Sequence, residues 1–268
     1  ILPGMAQTEK LTDYVNPFVG TDGYGNVYPG AQIPFGGIQI SPDTDSRFYD
    51  AASGYKYNHL TLMGFSLTHL SGTGIPDLGD FLFIPGTGEM KLEPGTHEDP
   101  DQGYRSRYSH DKEWASPNYY AVELADYGVK AEMTSGVRSG MFRFTYPESD
   151  NAFIMIDMNH TLWQSCEWSN LRMINDSTIT GYKLVKGWGP ERHVYFTATF
   201  SKKLTGLRFV QDKKPVIYNT SRFRSSYEAW GKNLMACISF DTKAGEEVTV
   251  KTAISAVSTD GARNNMKE

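Results

Sequence analysis

Apolar and polar residues alternate along most of this chain with a period of two. In Val129-Lys130-Ala131-Glu132-Met133-Thr134 every second side chain is apolar, the pattern of a strand with one face buried. Residues 193–200 repeat it. Val194, Phe196, Ala198 and Phe200 fall on one face, with Tyr195, Thr197 and Thr199 on the other. Shorter runs of the same kind predict strands at 80–84, 119–124, 141–146, 153–158, 179–184, 207–210, 234–240 and 248–254. Turn residues punctuate them: Tyr127-Gly128, Pro147-Glu148-Ser149-Asp150, Thr205-Gly206 and Lys243-Ala244-Gly245. No internal stretch of about 12 residues keeps a helical period between caps. The pattern predicts an all-β protein, a large antiparallel β-sandwich spanning roughly 80–255.

The two ends depart from this pattern. Residues 16–80 are rich in glycine, proline and aromatics and poor in alternation, which predicts long loops and a few strands at one edge of the sandwich. Long ordered loops are usually functional. The last residues turn polar after Ser255, and Ser258-Thr259-Asp260 offers a helix cap. The expected organisation is a stub at 1–15, a sandwich at 16–256, and the start of a linker to a further domain at 257–268.

Composition narrows the picture. The chain has 268 residues, 39% hydrophobic and 21% charged, so it is globular rather than disordered. Its 26 basic and 31 acidic residues leave a net charge of -5, and no basic run exceeds two residues. That argues against a nucleic-acid partner. No apolar stretch reaches the 18 or so residues of a membrane span. Cys166 and Cys237 match no metal-ligand spacing, and two buried thiols are favoured over a disulfide.

General catalytic motifs are missing. Gly20-Thr21-Asp22-Gly23-Tyr24-Gly25 lacks the spacing of a dinucleotide loop. Gly64-Phe65-Ser66-Leu67-Thr68 lacks the last glycine of a nucleophile elbow. Asp43-Thr44-Asp45 starts like a calcium loop without its later glycine and glutamate. Two loop regions remain, 20–36 and 53–80, which combine glycines, hydroxyls, tyrosines, histidine and aspartates, among them His69, Asp77 and Asp80. Such loops fit a sugar or polyol site, where polar groups surround an aromatic platform. They equally fit ordinary turns capped by Ser, Thr and Asp.

An ordered series of short segments runs through the chain. It begins Asn16-Pro17-Phe18-Val19-Gly20-Thr21, Tyr28-Pro29-Gly30-Ala31, Pro34-Phe35-Gly36 and Ser41-Pro42-Asp43-Thr44. It continues through Ser53-Gly54-Tyr55, Thr68-His69-Leu70-Ser71-Gly72-Thr73-Gly74 and Asp77-Leu78-Gly79-Asp80, then Asp126-Tyr127-Gly128-Val129, Gly187-Trp188 and Gly261-Ala262-Arg263. Together they resemble the N-terminal domain of glycoside hydrolase family 92, calcium-dependent exo-α-mannosidases. The resemblance implies a β-sandwich followed by a catalytic (α/α)6 barrel, with the active site between them. It also implies inverting removal of terminal α-mannose from a mannose-containing glycan, with an acid, a base and most calcium ligands on the barrel. A secreted or periplasmic location follows from the same likeness.

By that resemblance this chain carries no catalytic acid or base and no metal ligands of its own. Gly23, Tyr24, Tyr49, Asp50 and His69 are the expected sugar-binding residues, with Tyr24, Tyr49 and His69 partly exposed on one edge. The tryptophan usual before Ser-Gly-Tyr is Tyr49 or Phe48 here, and Lys56 and Leu67 replace usual histidines. Asp77 and Asp80 read as loop caps and arginine partners rather than metal ligands. Trp188 and Arg192 read as a stacked pair on the sheet or a wall of the crevice. Trp163 and Trp168 read as packing or domain-interface residues. A free-standing carbohydrate-binding module and a structural scaffold for the barrel are the alternative functions.

Overall fold

The computed structural model describes residues 10–46, 49–217 and 227–268, with Asp50 described by its backbone only. Two antiparallel sheets form the body. In spatial order, the seven-stranded sheet runs Ser41–Asp43, Gly64–Ser66, Leu82–Thr87, Ser149–Asp157, Leu234–Thr242, Gly206–Gln211 and Lys214–Pro215. The nine-stranded sheet runs Glu228–Gly231, Ser165–Asn175, Thr178–Lys186, Arg192–Phe200, Glu246–Ser255, Ser139–Tyr146, Val129–Ser135, Tyr119–Leu124 and Glu113–Ser116. Thr61–Leu62 and Ser106–Arg107 pair separately.

Alternation places the core between the sheets. Val129, Ala131 and Met133 are buried, as are Val194, Phe196, Ala198 and Phe200. Rings bridge the sheets: Phe83 meets Phe142 at 4.9 Å, and Phe81 meets Phe196 at 4.5 Å between centroids. Tilted ring pairs at that distance contribute about 0.5–1.5 kcal/mol beyond the area they bury.

The seven-stranded sheet is buried on both faces. Every residue from Ala152 to Ile156 is buried, a continuous run rather than an alternating one. On its outer face Leu82, Ile84, Phe153, Met155 and Cys237 pack with Tyr104, which arrives on the loop between residues 88 and 105. Cys166 and Cys237 are both buried free thiols.

The nine-stranded sheet is half open, but a short helix, Thr259–Asn265, covers part of its outer face. Ser258 caps that helix by accepting from the Gly261 amide at 2.9 Å, as the sequence predicts. Ala262 is buried, and the Asn265 amide donates to the Ile254 carbonyl at 2.7 Å.

Residues 16–80 are largely loop, as expected, but they are not laid loosely over the surface. Their short strands 41–43 and 64–66 extend the seven-stranded sheet, with Phe65 paired to Phe83. That pairing sets one end of the sandwich.

Candidate functional site

Three loop segments meet at this end. The Lys56 ammonium donates to the Gly23 carbonyl at 2.7 Å and lies 3.9 Å from Asp22. The Ser53 hydroxyl donates to Val27 at 3.0 Å, the Tyr57 amide to Thr21 at 3.0 Å, and the Gly72 amide to Asn26 at 2.6 Å. The segments around residues 23, 54 and 72 therefore form one edge, as their shared composition predicts.

Beneath this rim lies a buried ionic base. Asp43 is fully buried, and its two carboxylate oxygens accept from His69 Nε2 at 2.7 Å and His160 Nε2 at 2.8 Å. His69 Nδ1 donates to the Gln39 carbonyl at 2.8 Å, which fixes the ring. Burial pushes the Asp43 carboxyl up, but the two imidazoles outweigh it and hold it well below the usual carboxylate range. Gly54 is obligatory beside this pair. Its φ is +87°, and a Cβ there would stand 2.2 Å from Asp43 Oδ1.

A second ionic cluster adjoins the first. Asp80 is fully buried and accepts from Arg192 at 2.6 and 3.1 Å and from the Thr68 hydroxyl at 2.7 Å. The buried Lys183 ammonium lies 3.1 Å from it and donates to the His160 carbonyl at 2.6 Å. Here too burial opposes ionisation, and Lys183 with Arg192 overcomes it, so the Asp80 carboxyl stays well below the ordinary range. The Gln164 amide donates to Asp77, whose carboxylate also caps the Leu78 amide at 2.6 Å. Asp77 and Asp80 are thus a cap and an arginine partner.

The predicted residues divide in two. Gly23 lies open, with φ +60° and free space where a Cβ would be. Tyr24 and Tyr49 project into solvent, 91% and 61% exposed. His69 does not. It is 3% exposed, and the expectation of a partly exposed ring is corrected: Asp43 and Gln39 hold it inside. The Asp50 side chain and Phe48 lie outside the described residues. Arg192 points to Asp80 and is not stacked on Trp188, which is exposed. Trp163 and Trp168 are also exposed rather than packed.

Sequence reasoning missed His160, Gln164 and Lys183. The only local signal was a turn rich in polar and aromatic residues, 159–165, between two strands.

Chemically, the rim offers aromatic faces, backbone carbonyls and amides to a neutral ligand. The buried carboxylates of Asp43 and Asp80 are spent on histidine, lysine and arginine. No group of three or more His, Cys, Asp or Glu among the described residues could hold a metal ion, so the described residues offer calcium no cluster of carboxylates. Among the described residues, no helix is long and apolar enough to cross a membrane.

Comparison with known proteins fits this geometry. Residues 14–255 match the glycosyl hydrolase family 92 N-terminal domain. A family GH92 inverting mannosidase from Bacteroides thetaiotaomicron VPI-5482 superposes with a TM-score of 0.78 at 24% identity, over 97% of this chain and 34% of that one. That likeness establishes a shared fold. The gh92 family glycosyl hydrolase ccman5 gives a TM-score of 0.77 at 26% identity, over 94% of this chain and 33% of its own. An uncharacterized secreted glycosidase of Arthroderma benhamiae is 30% identical over 139 residues, 51% of this chain and 17% of that protein. The chain spans about a third or less of the length of each of these relatives.

Proposed function

Because the chain belongs to the glycosyl hydrolase family 92 N-terminal domain family, we propose that it is the sugar-facing wall of a secreted α-mannosidase. A catalytic (α/α)6 barrel of the same protein completes the site and supplies the acid and base. In inverting hydrolysis those two groups stand about 6.5–9.5 Å apart to admit a water. This chain holds the terminal mannose through Tyr49 and Tyr24 and through backbone groups near Gly23. Calcium belongs to the barrel side of the site, and no step depends on its being held here.

The observation that carries this reading is the pairing of exposed rim aromatics with fully committed buried carboxylates. The rings Tyr24 and Tyr49 are open to a ligand, while Asp43 and Asp80 are buried and ion-paired. A binding wall needs the first feature, and a catalytic centre would need free carboxyl groups instead.

The test is an assay with an aryl α-mannoside and calcium. A longer protein carrying this chain and its barrel should turn over, and a calcium chelator should stop it. The 268-residue chain alone should show no turnover above the blank, because losing catalytic groups costs orders of magnitude. Turnover by the chain alone would mean that one of its own carboxylates performs chemistry.

A further inference from the structure

A cavity of about 920 Å³ opens at the end of the seven-stranded sheet. Its volume sits within the roughly 300–1,000 Å³ typical of small-ligand sites. Trp163, Asp157, Asn159 and Gln164 line it, and Ser46, three residues before Tyr49, lies on its wall.

The loop that carries Trp163 is held from many sides. His160 is tied to Asp43 at 2.8 Å, and its carbonyl accepts from Lys183 at 2.6 Å. The Leu162 amide donates to Leu78 at 2.9 Å, the Thr161 hydroxyl donates to the Gln164 carbonyl at 2.8 Å, and Gln164 binds Asp77. Despite these ties the chain keeps Trp163 at φ +67° with its ring 67% exposed. A bulky residue in the left-handed region is strained, and burial would be the natural fate of an indole. The loop imposes the first and forgoes the second. Such strain persists only where surrounding structure enforces it, and it clusters at ligand sites.

The polar lining indicates the ligand class. Asp157 accepts from the Asn159 amide at 2.8 Å and, at 3.4 Å, from the Tyr104 hydroxyl. Burial pushes its carboxyl up, and its oxygens stand on the cavity wall within reach of a ligand hydroxyl. The Asn159 side-chain amide is exposed and makes no hydrogen bond among the described residues. The two cations at the mouth are neutralised, Lys213 by Glu93 at 2.7 Å and Lys232 by Glu167 at 3.2 Å. Neither of these two described cations is left unpaired to invite a phosphate. An indole face beside a carboxyl and an amide suits a neutral, polyhydroxylated ring.

We propose that this cavity is a saccharide-binding site built wholly within this chain, with Trp163 as its stacking platform and Asp157 and Asn159 as its hydroxyl partners. It takes sugar rings of the glycan beyond the one held at Tyr49. Only the identity of those sugars, α-linked mannose, rests on the mannosidase reading.

Calorimetric titration of the 268-residue chain with α-linked mannotriose, and separately with cellotriose, tests it. Trp163→Gly is the main variant, since glycine accepts φ +67° freely and the fold should be at least as stable. Unchanged thermal unfolding confirms that it folds. Mannotriose should bind the parent chain, and Trp163→Gly should weaken binding at least tenfold. Asp157→Asn should weaken it about threefold, while Trp114→Ala, which removes an exposed indole on the edge strand Glu113–Ser116 outside the cavity lining, changes it less than twofold. Binding of neither trisaccharide, or equal binding to the parent and Trp163→Gly, overturns the proposal. So does an equal loss of binding on Trp114→Ala. Trp163-dependent binding of cellotriose without mannotriose would keep the saccharide site and sink the mannose assignment.

Discussion

The same loops build two unlike regions. At their base, Asp43, Asp80, His69, His160 and Lys183 are buried and every charge has a partner within about hydrogen-bond distance. At their rim, Tyr24 and Tyr49 stand in solvent with their apolar faces unused. Folding alone explains the base, because a buried charge is tolerable only when paired. Packing within this chain does not account for the rim, whose rings stay in solvent although burying a ring is favourable. The difference separates residues that hold the edge in shape from residues that the edge exists to present.

The largest expected effect breaks the base. Asp80→Ala leaves the Lys183 ammonium buried without its carboxylate, and removing one partner of a buried pair costs about 3–5 kcal/mol. The thermal midpoint should fall by roughly 10 °C, read by circular dichroism. A midpoint within a degree of the parent would show that Lys183 finds water or another acceptor.

Acid should act on the same base more gradually. Asp43 and Asp80 both ionise more readily in the folded chain than in the unfolded one. A depressed carboxyl contributes stability that is complete above the unfolded value, about 3.9. That stability is lost as the pH falls toward the folded values. Urea unfolding should therefore show falling stability below about pH 4, with Asp80→Ala flattening the slope. A slope unchanged by Asp80→Ala would assign acid sensitivity to other carboxyls.

The smallest stability effect should come from the rim. Tyr24→Ala and Tyr49→Ala remove rings with little buried area, so each should shift unfolding by less than about 0.5 kcal/mol. A loss above about 2 kcal/mol at either position would place that ring in the structural base.

Period-two alternation made most of the sandwich legible, because one face of each strand meets the core. Strand Ser165–Asn175 escaped it because register shifts at Cys166/Trp168 and Met173/Asn175 break the alternation. The convergence of the three loops was legible in their glycines and hydroxyls. The burial of His69 was not. Its partner Asp43 is 26 residues away, and the second imidazole on that carboxylate, His160, is 117 residues from it. No local pattern reports a contact of that length. The exposure of Trp163 was not legible either: near Cys166 and between strands it reads as a packing or a domain-interface residue, and the pinned turn around it puts the ring outside.

The distinction between base and rim, and the sugar-facing role of the rim, meet in one measurement. Tyr49→Ala should be made in the longer protein that carries the barrel, and kcat/KM on an aryl α-mannoside measured beside thermal unfolding. A ring that contacts the sugar contributes about 1–3 kcal/mol to transition-state binding, so kcat/KM should fall roughly tenfold to a hundredfold. The unfolding midpoint should stay where it was. An unchanged kcat/KM, or a loss of activity matched by a loss of stability, would contradict the account and leave the barrel to bind the sugar alone.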